Sequence, residues 1–253
     1  MNIATKLATA STVALLVGTV GAAANTLQLQ NVSVQWLNPS PNANVTSNTS
    51  TPGDSNTNTP AEAHINWGSG GTSGYDVVAD SDPVPQPGAN IGDMFQIGMF
   101  THRNQSINAG TSINSVQLSL TADVLLDGTT VIGNGLNFLF DFDHNETSNV
   151  SNCAFPDPNN SNCDDIVTVT SNNLTETFNY NNTEYTLEIN GFLDEDTNQF
   201  TNQFFSAEGG NNEAIVMATF TSEIPGVPLP AAGWLLLAGV GGLAAVRRKK
   251  KTA

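Results

Sequence analysis

Five consecutive residues, Phe100-Thr101-His102-Arg103-Asn104, set an imidazole, a guanidinium and an amide side by side, closing an apolar run from Met94. Imidazole and guanidinium both donate hydrogen bonds, so His102 and Arg103 suit a loop that contacts an acidic or polar ligand. The competing assignment is architectural. In it, His102 and Asn104 bond backbone groups to fix a strand-to-loop turn, while Arg103 neutralises nearby carboxylates. Histidine in a tight polar motif favours the architectural role.

A second set of chemically capable residues is acidic. Asp141, Asp143, Asn145 and Glu146 alternate and then cluster, and Asp164 and Asp165 are drawn near if Cys153 and Cys163 pair. Asp-x-Asp-x-Asn opens many calcium loops, because hard oxygen ligands at alternating positions can converge on one ion. An EF-hand does not fit, since Glu146 stands where that loop needs glycine and no helices flank it. A calcium site of another kind at a strand end is one reading of these four residues. A solvated acidic strand end is the other, and the surplus of acids favours it.

Catalytic patterns are lacking. There is no Gly-x-Ser-x-Gly elbow, HExxH helix or phosphate loop. His64, His102 and His144 fall at different strand ends. Among 23 carboxylates some pair always lies at a separation workable for glycoside hydrolysis, so such pairs carry no information. The chain reads as a non-enzyme.

The segments that must position these residues are strand-like. Leu27, Leu29, Val32, Val34 and Trp36 alternate, with a slip near Asn31 that suggests a bulge. Val116, Leu118, Leu120, Ala122 and Val124 share one face of a strand, as do Phe138, Phe140 and Phe142 in the next, with Asp127-Gly128 as a hairpin turn between them. Further strands are expected at 63–68, 166–170, 175–180, 185–189 and 215–220, and loops at 39–60 and 80–87. About ten strands with irregular loops indicate an all-β antiparallel sandwich, Ig-like or jelly-roll.

The ends of the chain differ from its body. Lys6, an apolar run over 12–20 and Ala22-Ala23-Ala24 have the layout of a signal peptide cleaved after Ala24. At the other end stand Val227-Pro228-Leu229-Pro230-Ala231, an apolar stretch to Val246, and Arg247 to Lys251. A helix over Ala231–Val246 would span roughly 24 Å, short of a hydrocarbon core of about 30 Å unless Trp234 and the cations extend it. The basic cluster should stay cytoplasmic, leaving the body outside. The expected organisation is therefore a leader (1–24), an N-terminal strand and polar loop (25–61), a β domain (62–222) and a C-terminal signal (223–253).

Between residues 25 and 226 Arg103 is the only Lys or Arg against 23 acids, a formal charge of −22. Such a field repels nucleic acid and anionic headgroups. Two cysteines ten positions apart in an exported chain read as one disulfide, Cys153–Cys163, which contributes about 3 kcal/mol on the loop-entropy model. No CxxC spacing or neighbouring histidine set points to metal ligation by this pair.

Val227 to Ala231, the helix and the Arg/Lys cap together resemble the PEP-CTERM class of sorting signals in its VPLPA variant. That resemblance implies recognition by an exosortase-type enzyme, removal of the tail, transient anchoring in the inner membrane, and release or attachment at the cell surface. A permanent single-span anchor is the alternative. In the body, Trp67-Gly68, Gly74-Tyr75, Thr101-His102-Arg103-Asn104, then Glu146-Thr147-Ser148-Asn149 and the Cys153/Cys163 region resemble the choice-of-anchor K domain over residues 62–220. The departure is Ser148, where proline is expected. The resemblance implies a surface domain and carries no catalytic residues. A structural or interaction module of the surface or extracellular matrix is the leading expectation. A module binding extracellular polysaccharide through Trp36, Trp67, Tyr75, Tyr180 and Tyr185 is the second, and a glycan hydrolase the third. No cofactor is implied apart from calcium.

Overall fold

The computed structural model describes residues 25–148, 163–170, 175–194 and 199–223. Within them the chain is antiparallel β throughout, in two sheets that enclose one core. The leader, Asn149, Cys153 and the C-terminal signal lie outside the described residues, and among the described ones no helix is long and apolar enough to cross a membrane.

One sheet contains β1 (Thr26–Ser40), β5 (Val84–Asn90), β7 (Ser115–Leu126), β8 (Thr130–Asn145), β9 (Asp165–Thr170) and β13 (Gln203–Ser206), in the order β13-β9-β8-β7-β1-β5. The facing sheet runs β10-β11-β14-β6-β4-β3-β2, from β10 (Thr175–Tyr180), β11 (Thr183–Asp194), β14 (Gly210–Glu223), β6 (Met94–Asn104), β4 (Ser73–Ala79), β3 (Glu62–Trp67) and β2 (Val45–Thr51). A short strand, β12 (Gln199–Thr201), pairs with β11.

Period-two patterning explains why the sheets face as they do. On β7 the alternating Val116, Leu118, Leu120, Ala122 and Val124 are all buried, and on β8 Phe138, Phe140 and Phe142 meet them from the neighbouring strand. Between β7 and β8, Asp127 at φ 51° and Gly128 at φ 68° are both left-handed, and the Thr129 N–H donates to the Leu126 carbonyl at 3.2 Å, closing a turn of the hand that matches strand twist.

Two stretches expected as loops are strands in part, while 52–60 and 80–83 are loop as expected. Residues 39–40 end β1 and 45–51 form β2, which pairs with β3 from Val45↔Trp67 to Thr51↔Glu62. Six of the seven residues of β2 are exposed at the sheet edge, so no apolar alternation marks it, and Asn48 anchors it by donating to the Trp36 carbonyl at 2.8 Å. Likewise 84–87 opens β5, whose prolines are tolerated because it is an edge strand bonded only to β1. Residues 25–61 are thus part of the sandwich rather than a preface to it, with β1 lying between β5 and β7.

The slip near Asn31 is a bulge. The β1–β7 register shifts between Gln30 and Ser33, and Asn31 has φ 52°. The backbone N–H groups of Asn31 and Val32 leave the ladder there and donate to the two carboxylate oxygens of Asp82, at 3.0 and 2.9 Å. Asp82 is fully buried; burial raises its pKa, and the two backbone hydrogen bonds only partly oppose the rise. Asp82→Ala should orphan both N–H groups and lower stability by about 2–4 kcal/mol. Asp82→Asn, which keeps an acceptor, should lose less. Urea midpoints of the two variants against the parent check this ordering.

Candidate metal centre

Strand parity brings the chemically capable residues together. On β6, Phe100, His102 and Asn104 face inward while Thr101 and Arg103 face outward. On β8 the inward series Phe138, Phe140, Phe142 continues into His144. Beside His144 on the next strand, Asp165 begins β9 with its side chain fully buried. The two imidazoles come from opposite sheets and meet edge-on, with ring centroids 5.2 Å apart.

Aromatic rings wall this centre on the core side. Trp67 stacks on His102 at 5.9 Å and meets His144 edge-on at 5.2 Å, and Tyr75 contacts both imidazoles. The Tyr75 hydroxyl lies 2.6 Å from His144 Nδ1 in a buried hydrogen bond. Burial, reinforced by the charges of Asp165, Glu146 and Asp143, pushes the Tyr75 phenol well above its ordinary value, so it stays protonated. With Nδ1 engaged, Nε2 is the remaining nitrogen of His144, and it lies 3.3 Å from Glu146 Oε2.

Polar demand here exceeds supply. His102 is completely buried, and neither of its ring nitrogens has a hydrogen-bond partner among the described residues. Burial, together with His144 and Arg103, holds its imidazole well below the ordinary value, so the ring is neutral. Asp165 receives the Thr147 backbone N–H at 2.7 Å on Oδ1, while Oδ2 is buried without a partner among the described residues. Burial and then the neighbouring Glu146 charge push its carboxyl up to about 8. Glu208 accepts the Ser106 hydroxyl at 2.7 Å on Oε1 and leaves Oε2 buried without a partner among the described residues. Burial is also what raises Glu208, with Glu146 adding to it. Ligating atoms of His102, His144 and Asp165 lie within 4.8 Å of one another, as do those of Glu146, Asp165 and Glu208.

The four residues read as a calcium loop are distributed differently. Asp141, Asp143 and Asn145 follow the outer face of β8, where Asp141 accepts from the Gln117 amide at 2.9 Å. Successive outward residues on a strand are about 7 Å apart, too far for three of them to share one ion. Glu146, past the end of β8, instead joins His144. Cys163 is buried and disulfide-bonded.

The Thr101–Asn104 motif divides its labour between two faces. Asn104 donates to the Ser206 carbonyl at 2.9 Å, a backbone-fixing role of the expected kind, whereas His102 bonds no backbone group among the described residues. Arg103 lies outside, forking onto Asp76 at 2.7 and 3.0 Å and onto Asn66 Oδ1 at 2.6 Å. Gly74 is its register partner on β4, and a Cβ there would collide with the guanidinium, so glycine keeps that lane open.

The sequence signal for the centre was parity. Extending the phenylalanine alternation of β8 by two residues places His144 inside, and the same step from Phe100 places His102 inside. Asp165 was expected near the acidic residues through the cysteine pair, and the β8–β9 pairing sets it beside His144; Glu208 had no signal, because its approach depends on the pairing of β13 with β9.

Neither a protein-family model nor a curated protein matches the chain.

The outer face yields a pH prediction. Burial opposes ionisation of Asp76, but hydrogen bonds from Arg103 and His64 outweigh it and hold the carboxyl below its ordinary value of 3.8. A lowered carboxyl adds stability above its unfolded pKa, and that contribution disappears as pH falls through the folded value. Arg103→Met should therefore cost on the order of 1 kcal/mol at pH 7. The difference from the parent should shrink as pH falls below 3.8 and Asp76 becomes protonated, leaving the part due to the Asn66 hydrogen bond. Urea midpoints across pH 2–7 measure it.

Proposed function

We propose that the chain is an exported surface or extracellular-matrix protein, a structural or interaction module that an exosortase-type enzyme processes at its C-terminal signal. The observation that carries this reading is the order of the tail: Val227-Pro228-Leu229-Pro230-Ala231, an apolar stretch, then five cations. Proline disfavours helix at its own position and at the residue before it, which suits Pro228 and Pro230 to a motif that a processing enzyme reads. Removal of the leader and the tail takes away six of the seven Lys and Arg residues and leaves the polyanionic body. That body carries the likeness to the choice-of-anchor K domain in its motifs. We read the sandwich as nearer a jelly-roll than an Ig domain, since its long paired sheets exceed the seven to nine strands of the Ig types.

The polysaccharide-binding reading needs an exposed aromatic platform. Trp36, Trp67, Tyr75 and Tyr185 are buried, and Tyr180 packs partly buried against the core. These five residues therefore serve packing, and the module reading is preferred.

Expression of the full chain in a host with a matching exosortase tests the proposal. Intact mass of the surface fraction should lack the leader and the residues beyond the motif. Replacing Pro228 and Pro230 with alanine should leave the tail attached and the protein in the membrane fraction. A parent protein that keeps its tail in that host would instead indicate a permanent single-span anchor.

A further inference from the structure

We propose that His102, His144 and Asp165, assisted by Glu146 and Glu208, form a binding site for a divalent first-row transition metal of the zinc class that clamps the two sheets together. Nothing in the sorting proposal requires this site, and it stands on separate observations.

The first is ligand chemistry. Two imidazoles with carboxylates make a nitrogen–oxygen set suited to zinc and its neighbours, whereas calcium takes oxygen ligands throughout. The second is unmet demand. His102 is fully buried with both ring nitrogens unpartnered among the described residues, and buried Oδ2 of Asp165 and Oε2 of Glu208 are in the same condition. Buried polar atoms in native proteins almost always have partners, so several orphans at one point call for a ligand. A metal ion would satisfy a nitrogen and the carboxylate oxygens at once.

Geometry and the outer shell agree. The ligating atoms of the two histidines and Asp165 already lie within 4.8 Å of one another. Ligands of a tetrahedral zinc are about 3.4 Å apart, so side-chain shifts of about 1 Å close the set. The Tyr75 hydroxyl on His144 Nδ1 is the kind of outer contact that fixes a ligating imidazole and directs its other nitrogen to the metal. Charge balances too, because a dication offsets carboxylates that burial otherwise disfavours. Glu146 also lines a surface cleft with Thr147, Ser148, Asn44, Asn108 and Asn114.

A closed, largely buried set with ligands from both sheets has the character of a structural site. His102 belongs to β6 of one sheet, and His144 and Asp165 to β8 and β9 of the other. The metal would therefore cross-link two layers that packing, the Tyr75–His144 hydrogen bond and the Asn104–Ser206 hydrogen bond already join at this end.

The purified full chain, stripped with chelator, is titrated with zinc ion and separately with calcium ion, and metal per chain is read by calorimetry and elemental mass spectrometry. One zinc per chain is expected, with a rise in melting temperature and no equivalent effect of calcium. His102→Phe fills the same space without a ligand, and Asp165→Asn removes a charge while keeping the Thr147 acceptor. Each should weaken zinc binding by about 100-fold or more, and Tyr75→Phe by about 10–100-fold. Cobalt ion in the unmutated chain should give visible bands of a nitrogen–oxygen site of low coordination number, a readout that stands even if a variant fails to fold. The proposal is overturned if zinc does not bind, if calcium binds instead, if both ligand variants bind as tightly as the parent, or if the cobalt bands are absent.

Discussion

Two imidazoles and a carboxyl enclosed between β-sheets impose the constraint on which this end of the sandwich depends. Burying such groups without partners costs several kcal/mol, so their surroundings must be arranged around them. Trp67 lies flat on one imidazole and Tyr75 ties down the other. Trp36 and Phe142 then pack against Tyr75 and carry the aromatic wall into the apolar core. Because the imidazoles come from opposite sheets, the centre also fixes how the layers sit across from each other. A cross-sheet metal clamp turns the arrangement from a liability into a tie.

The charge of the body gives the clamp a wider sense. With Arg103 as the only Lys or Arg between residues 25 and 226, and that residue committed to Asp76 on the outside, no cationic side chain remains for the interior acids. Desolvation drives Asp165 up to about 8, the direction expected of a carboxyl that lacks a cation. A bound dication supplies positive charge where the chain has none. The surface acids are left to solvent and salt, which screen their repulsion within about 8–10 Å.

Much of this fold was legible in the sequence, and the exceptions have physical causes. Buried strands such as β7 and β8 announce themselves by alternation, and the bulge of β1 by its slip at Asn31. Edge strands do not, because an exposed face removes the apolar half of the pattern. β2 is polar almost throughout, and β5 carries prolines that a central strand would reject. The candidate centre was half legible. His102 and His144 follow from parity, but the alternating Asp141, Asp143 and Asn145 drew attention to the outer face of the same strand. Asp165 was named with the acidic residues but not with the histidines, and Glu208 reaches the centre through the β13–β9 pairing, which spacing alone does not encode.

The most direct measurement is anomalous diffraction from crystals of the protein grown with zinc, with data on both sides of the zinc absorption edge. One strong difference peak is expected between the sheets, at about 2.0–2.2 Å from a nitrogen of His102, from His144 Nε2 and from an oxygen of Asp165. A peak confined to the outer acids of β8, or water in place of metal between the two imidazoles, would contradict it.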